Sequence, residues 1–176
     1  GGSGNPSPIT AYGVFMGMKA AAKHKFGVDT LAGKRVLVQG IGHVGEVLVQ
    51  HLTNEGAIVT ISDINENRLH EVGSKYGAKI FTGNDLYSLD VDIYAPCALG
   101  ATINDDTISK IQAKVIAGAA NNQLANEVIH GKLLKEKGAE IVAYDAIAEE
   151  NVRRILGDTI SYAPDMYSAL EGADCL

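Results

Sequence analysis

The chain has little of what would mark several common protein classes. It has only two cysteines, Cys97 and Cys175. That is too few for a disulfide scaffold, and they show no metal-ligand spacing, so no metal site is expected. No apolar run approaches the roughly 18–20 residues of a membrane-spanning helix, which argues against a membrane protein. The opening residues show no basic region followed by an apolar stretch, so no signal peptide is expected. Basic residues are not in excess. Fifteen Lys and Arg against 21 Asp and Glu give a formal net charge of −6, which excludes a general binder of nucleic-acid backbones. The few cysteines suit a reducing, cytoplasmic setting. With 46% hydrophobic and 20% charged residues, the composition is that of a globular domain, and disorder is not expected.

Glycine is plentiful, 20 in 176 residues, and its placement organises the reading. Residues 1–3 read as a linker or cloning scar, and 4–176 as one domain. A helix is expected from Pro8 to near Gly27, and a β-branched strand over Arg35–Gln39 that stops at Gly40. A second helix carries Val44, Val47, Leu48 and Leu52 and stops at Gly56. Strand two spans Ala57 to Ser62. Asn65 can cap a third helix, which stops at Gly77, and Ala78 to Phe81 forms strand three. Further strands are expected at Asp92–Ala95, Lys114–Ala117, Glu140–Tyr144 and Thr159–Tyr162. Helices are expected at Ala125–Lys137, Glu149–Leu156 and Asp165–Glu171. This alternation predicts an α/β fold: a doubly wound, parallel, Rossmann-like sheet in the order 3-2-1-4-5-6-7 with helices on both faces. Its switch point lies between strands 1 and 4, where such sheets bind ligands.

Strand 1 runs into Gly40-Ile41-Gly42-His43-Val44-Gly45, a G-x-G-x-x-G pattern, and Asp63 ends strand 2 eighteen residues later. In this context the pattern indicates dinucleotide binding. Gly40 permits the tight turn, Gly42 lets a pyrophosphate approach the backbone, and Gly45 lets the helix pack on the strand. The helix N-terminus offers N–H groups to the phosphates. Asp63 can accept the ribose hydroxyls and would repel a 2′-phosphate, which favours NAD over NADP. The competing interpretation is a tight strand-to-helix turn that binds nothing. His43 reads as solvent-facing. Cys97 reads as a packed thiol lining the cleft and not as a nucleophile, since no partner base is evident. Asn121 and Asn122 are either turn residues or amide contacts to a ligand.

Several segments resemble the amino-acid dehydrogenase family that includes the glutamate, leucine, phenylalanine and valine enzymes, and leucine dehydrogenase in particular. They are Gly4–Gly13, the glycine loop, Ser62–Asn65, Ala95–Ala101 and Ala119–Leu124, so the resemblance covers about residues 4–138. It implies that Thr10 and Asn121 face the nicotinamide half of NAD, that Cys97 and Ala98 lie along the cofactor cleft, that Gly40 to Val44 meet the pyrophosphate, and that Asp63 and Ile64 meet the adenosine ribose. The family's catalytic lysine and aspartate belong to an N-terminal domain not expected here, and its Asn-Ala-Gly-Gly segment is missing. No catalytic residue is therefore assigned.

Residues 136–176 resemble part of the C-terminal domain of UDP-glucose 6-dehydrogenase through Gly138–Asp145, Glu150–Asp158 and Ala169–Asp174. The two resemblances meet near Gly138. They imply a chimera of residues 4–138 and 139–176 that binds NAD weakly and is not an enzyme. Two alternatives stand beside it: a structural scaffold that has lost the cofactor, and a fragment of an NAD-dependent amino-acid dehydrogenase that oxidatively deaminates leucine-like substrates. Neither a nucleic acid nor a membrane is an expected partner. Self-association through a sheet edge is conceivable, with a monomer the favoured state.

Overall fold

The computed structural model describes residues 4–139, 142–143 and 161–162. Helix α1, Ser7–Phe26, begins with Pro8 in its first turn and ends at Gly27, whose φ of 71° forms a left-handed cap with its N–H on the Lys23 carbonyl. Proline tolerates the first turn because that N–H has no helical partner, and glycine takes positive φ without strain. Strand β1, Arg35–Gln39, leads into α2, His43–Asn54. Then come β2, Ile58–Ser62, and α3, Glu66–Tyr76, whose expected cap is in place: the Asn65 side chain accepts the Arg68 N–H. Next are β3, Lys79–Ile80, a single 3-10 turn at Leu86–Ser88 that the glycine spacing did not foreshadow, and β4, Ile93–Pro96. Strand β5, Val115–Ile116, and helix α4, Glu127–Glu136, follow.

These strands form a parallel sheet in the order β3-β2-β1-β4-β5, as expected for its first five members. Val36 pairs with Val59 on one side and with Ile93 on the other. Burial on both faces explains the unbroken β-branched runs. Along β1 the pleat sends Val36 and Val38 into a core with Phe15, Met18, Leu48, Leu52, Leu69 and Val72, from α1, α2 and α3. It sends Leu37 into a second core with Tyr94, Ile103 and Ile116, against which Leu133 and Leu134 of α4 pack. A period of two thus distributes one strand between two helical layers.

One expectation changes. Strands β6, Val142–Ala143, and β7, Ser161–Tyr162, pair in parallel with each other but form their own two-stranded sheet. Among the described residues they do not extend the main sheet to seven strands. Strand β5 is only two residues long and pairs with β4 through Ile93–Val115 and Tyr94–Ile116, so it offers little further edge for a ladder. The helices expected at 149–156 and 165–171 lie outside the described residues. Among the described residues, no helix is long and apolar enough to cross a membrane.

Candidate dinucleotide site at the sheet switch point

The C-terminal ends of β1, β2 and β4 converge where the sheet order reverses. Gly40 leaves β1 with a φ of 92° and donates its N–H to the Ser62 carbonyl at 2.7 Å. A Cβ there would lie 2.5 Å from the Ala98 nitrogen, so the loop and the segment after β4 touch backbone to backbone. At Gly45 a Cβ would lie 2.0 Å from the Gly40 carbonyl oxygen. These two glycines are required by close packing. Gly42 differs: it has no neighbour within 4 Å of where a Cβ would be. It precedes α2 without any side-chain cap, so the first-turn N–H groups, which lack intrahelical acceptors, face an open approach.

Asp63 and Ile41 lock this loop. The fully buried Ile41 donates its N–H to Asp63 Oδ2 at 2.8 Å, and Asp63 Oδ1 accepts the Asn65 N–H at 2.9 Å. Each carboxylate oxygen keeps lone-pair capacity for a further donor. Ile64 is fully exposed beside it. His43 is exposed, as read from the pattern, while Val44 packs partly against the core.

Cys97 is a half-buried free thiol whose N–H donates to the Gln39 carbonyl at 2.7 Å. Burial pushes the thiol up to about 11, only partly offset by the Ala119 backbone. It is therefore protonated at neutral pH and a poor nucleophile. Ala98 meets Gly40 directly. Thr10 and Asn121 are both exposed and line one cleft of about 1110 Å³, together with Val14, Ile103 and Gly118. None of the glycine-loop residues is among the described residues lining that cleft. The structure thus brings the expected residues together as two groups. Gly40, Gly42, His43, Val44, Gly45, Asp63, Ile64, Cys97 and Ala98 gather at the switch point, while Thr10 and Asn121 share the neighbouring cleft.

Two residues here went unnoticed in the sequence. Arg68 donates its Nε–H to the Ile41 carbonyl at 3.4 Å, and its Nη2 group pairs with Glu46, the residue directly after Gly45. Glu46 also receives Lys75 at 2.9 Å and the Tyr76 hydroxyl at 3.3 Å. The Lys75 contact and the Arg68 charge hold the Glu46 carboxyl below the usual range against the opposing effect of burial. A signal exists in the spacing, since Arg68 and Lys75 lie two turns apart on one face of α3. Among the described residues, no group of three or more His, Cys, Asp or Glu could hold a metal ion.

Comparison with known proteins shows the family to which the chain belongs. The family described as Glutamate/Leucine/Phenylalanine/Valine dehydrogenase matches residues 1–75 and 64–165. A leucine dehydrogenase of Bacillus subtilis is 51% identical over 167 residues, covering 95% of this chain and 44% of its own length. A leucine dehydrogenase of Thermoactinomyces intermedius is 55% identical over 138 residues, covering 78% of this chain and 37% of its own length. The crystal structure of L-tryptophan dehydrogenase from Nostoc punctiforme superposes with a TM-score of 0.74 at 40% identity, covering 97% of this chain and 45% of that one. The chain thus spans less than half the length of the relatives it matches. Two expectations change. These relatives are named as dehydrogenases, which overturns the expectation that the chain is not an enzyme. The family match, to residue 165, and the Bacillus subtilis match, over 167 residues, also continue well past Gly138, so they do not support a chimera joined there.

Proposed function

We propose, from the premise that this chain belongs to the glutamate/leucine/phenylalanine/valine dehydrogenase family, that it is the NAD-binding part of an NAD-dependent dehydrogenase of leucine-like amino acids. The observation that carries the cofactor assignment is the lock between Ile41 and Asp63, which fixes a carboxylate beside the glycine loop. The residues fit the group. The open side of Gly42 and the uncapped start of α2 suit a pyrophosphate, which a helix N-terminus binds through its N–H groups and partial positive charge. Asp63 retains acceptor capacity for the adenosine ribose hydroxyls, with Ile64 exposed beside them. Its negative charge disfavours a 2′-phosphate.

In this reading Gly40, Gly42, His43, Val44 and Gly45 form the phosphate cradle, Cys97 and Ala98 wall the cleft, and Thr10 and Asn121 position the nicotinamide end. When bound, NAD supplies the hydride acceptor for oxidation of the amino acid. The half-buried, protonated Cys97 shapes the site without covalent chemistry. The substrate class is taken from the names of the relatives.

The test is a fluorescence titration of this chain with NADH, with NADPH as control. Saturable NADH binding with a Kd of about 0.01–1 mM, about −4 to −7 kcal/mol, and binding of NADPH at least about tenfold weaker are expected. A cooperatively folded protein that binds neither would overturn the assignment.

A further inference from the structure

Both backbone polar groups of Ile41 are engaged by side chains. Its N–H meets Asp63 and its carbonyl meets Arg68. The guanidinium of Arg68 and the carboxylate assigned to the ribose therefore hold the two backbone polar groups of one residue. Arginine is the side chain best suited to recognise a phosphate, through its fixed fork of donors. An arginine beside a ribose-binding carboxylate would be expected to favour a phosphorylated ribose. Here the fork is already committed. Nη2 pairs with Glu46, and Nη1 pairs with Glu71 at 3.0 Å. The two acids are unequal. The Glu46 side chain is 16% exposed and is anchored from three directions, by Arg68, Lys75 and Tyr76. The Glu71 side chain is 61% exposed, and such an exposed partner holds weakly.

We propose that Glu46 determines cofactor specificity by holding the Arg68 guanidinium against α2, which denies a cation to a phosphate on the adenosine ribose. The inference rests on the NAD site proposed above and deepens it. Asp63 repels a 2′-phosphate, and Glu46 withholds the residue that would otherwise attract one. The position of Glu46 suits the task. It lies in the first turn of α2, where a carboxylate favours the helix dipole. Arg68 and Lys75 neutralise it there, so it does not oppose the phosphates that the same helix end would bind.

The test uses E46Q in the full chain, with Kd measured for NADH and NADPH. The ratio of the NADPH to the NADH constant is expected to fall by about tenfold, the scale of one charge-assisted contact. The double variant E46Q/R68M should lose that change, because the freed cation is gone. An unchanged ratio in E46Q, or an equal fall in E46Q/R68M, overturns the proposal. If E46Q does not melt cooperatively, E46D serves: it keeps the charge, shortens the reach to Arg68 and should lower the ratio in the same direction. An unchanged ratio in folded E46D overturns the proposal equally. Absence of NADH binding by the wild-type chain overturns the cofactor assignment itself. NADH binding with unaltered discrimination in the variants overturns this inference alone.

Discussion

Asp63 accepts the Ile41 N–H at 2.8 Å, so the carboxylate that ends β2 also anchors the glycine loop that ends β1. One side chain thus has a structural and a binding task, and variants separate them. D63A leaves the buried Ile41 N–H without its acceptor, which should cost about 1–2 kcal/mol of stability. D63N keeps an oxygen for that N–H and should cost less. Both should weaken NADH binding, D63A by at least about tenfold, and D63N should narrow the gap to NADPH by removing the charge. Urea denaturation and NADH titration of the two variants check this. Unchanged NADH affinity in folded D63A would sink the assignment.

The three glycines of the loop should respond differently to alanine. G40A places a Cβ 2.5 Å from the Ala98 nitrogen at a φ of 92°, and G45A places one 2.0 Å from the Gly40 carbonyl oxygen. Both meet rigid backbone, so each should destabilise by about 2–4 kcal/mol or prevent folding. G42A meets nothing within 4 Å. It should destabilise by only about 1 kcal/mol, because alanine is a poorer N-cap than glycine, while weakening NADH binding. Thermal melts paired with titrations distinguish the cases. A G42A variant with normal affinity would show that no ligand approaches that open side.

The alternation of strands and helices was legible because Gly27, Gly56 and Gly77 punctuate it and because Asn65 caps α3 by local chemistry alone. The glycine loop and Asp63 were legible for the same reason, since their spacing reflects one strand-turn-helix unit. The pairing of β6 with β7 in a separate sheet was not, because strand membership depends on long-range hydrogen bonding that local pattern does not encode. The tie from Glu46 to Arg68 joins residues 22 apart on two different helices. No motif spans them, and only the packing of α2 beside α3 brings them together.

Cys97 provides a chemical test of burial. Its thiol is raised from 9.0 to about 11, chiefly by burial, which lowers its thiolate fraction at neutral pH by about 100-fold. Iodoacetamide at pH 8 should modify Cys97 about 100-fold more slowly in the native chain than in urea, as read by peptide mass mapping. C97A should retain NADH binding because the thiol performs no covalent step. Equal alkylation rates in the native and unfolded chains would contradict the enclosed thiol.

Acid should loosen the packing of α1 on α2 through Glu55. Its carboxylate accepts the Leu31 N–H at 3.0 Å and pairs with Lys19 at 3.1 Å, which ties α1, the following loop and the end of α2 together. Burial opposes the charged form, but Leu31 and Lys19 outweigh it, and the carboxyl falls below its ordinary value of 4.5. A carboxyl lowered by folding contributes stability that is present above its unfolded value and lost as pH falls through the folded one. E55Q should therefore be less stable than wild type at pH 7, by about 1–2 kcal/mol. That gap should begin to shrink as pH falls through about 4.5 and go on shrinking below it. Glu46, Asp90 and Asp92 are lowered in the same direction but are common to both proteins, so they cancel in the difference. Urea midpoints at pH 7, 5 and 3.5 for wild type and E55Q decide the matter. A gap that stays constant with pH would mean that Glu55 acts by shape and hydrogen bonding alone, and not through its charge.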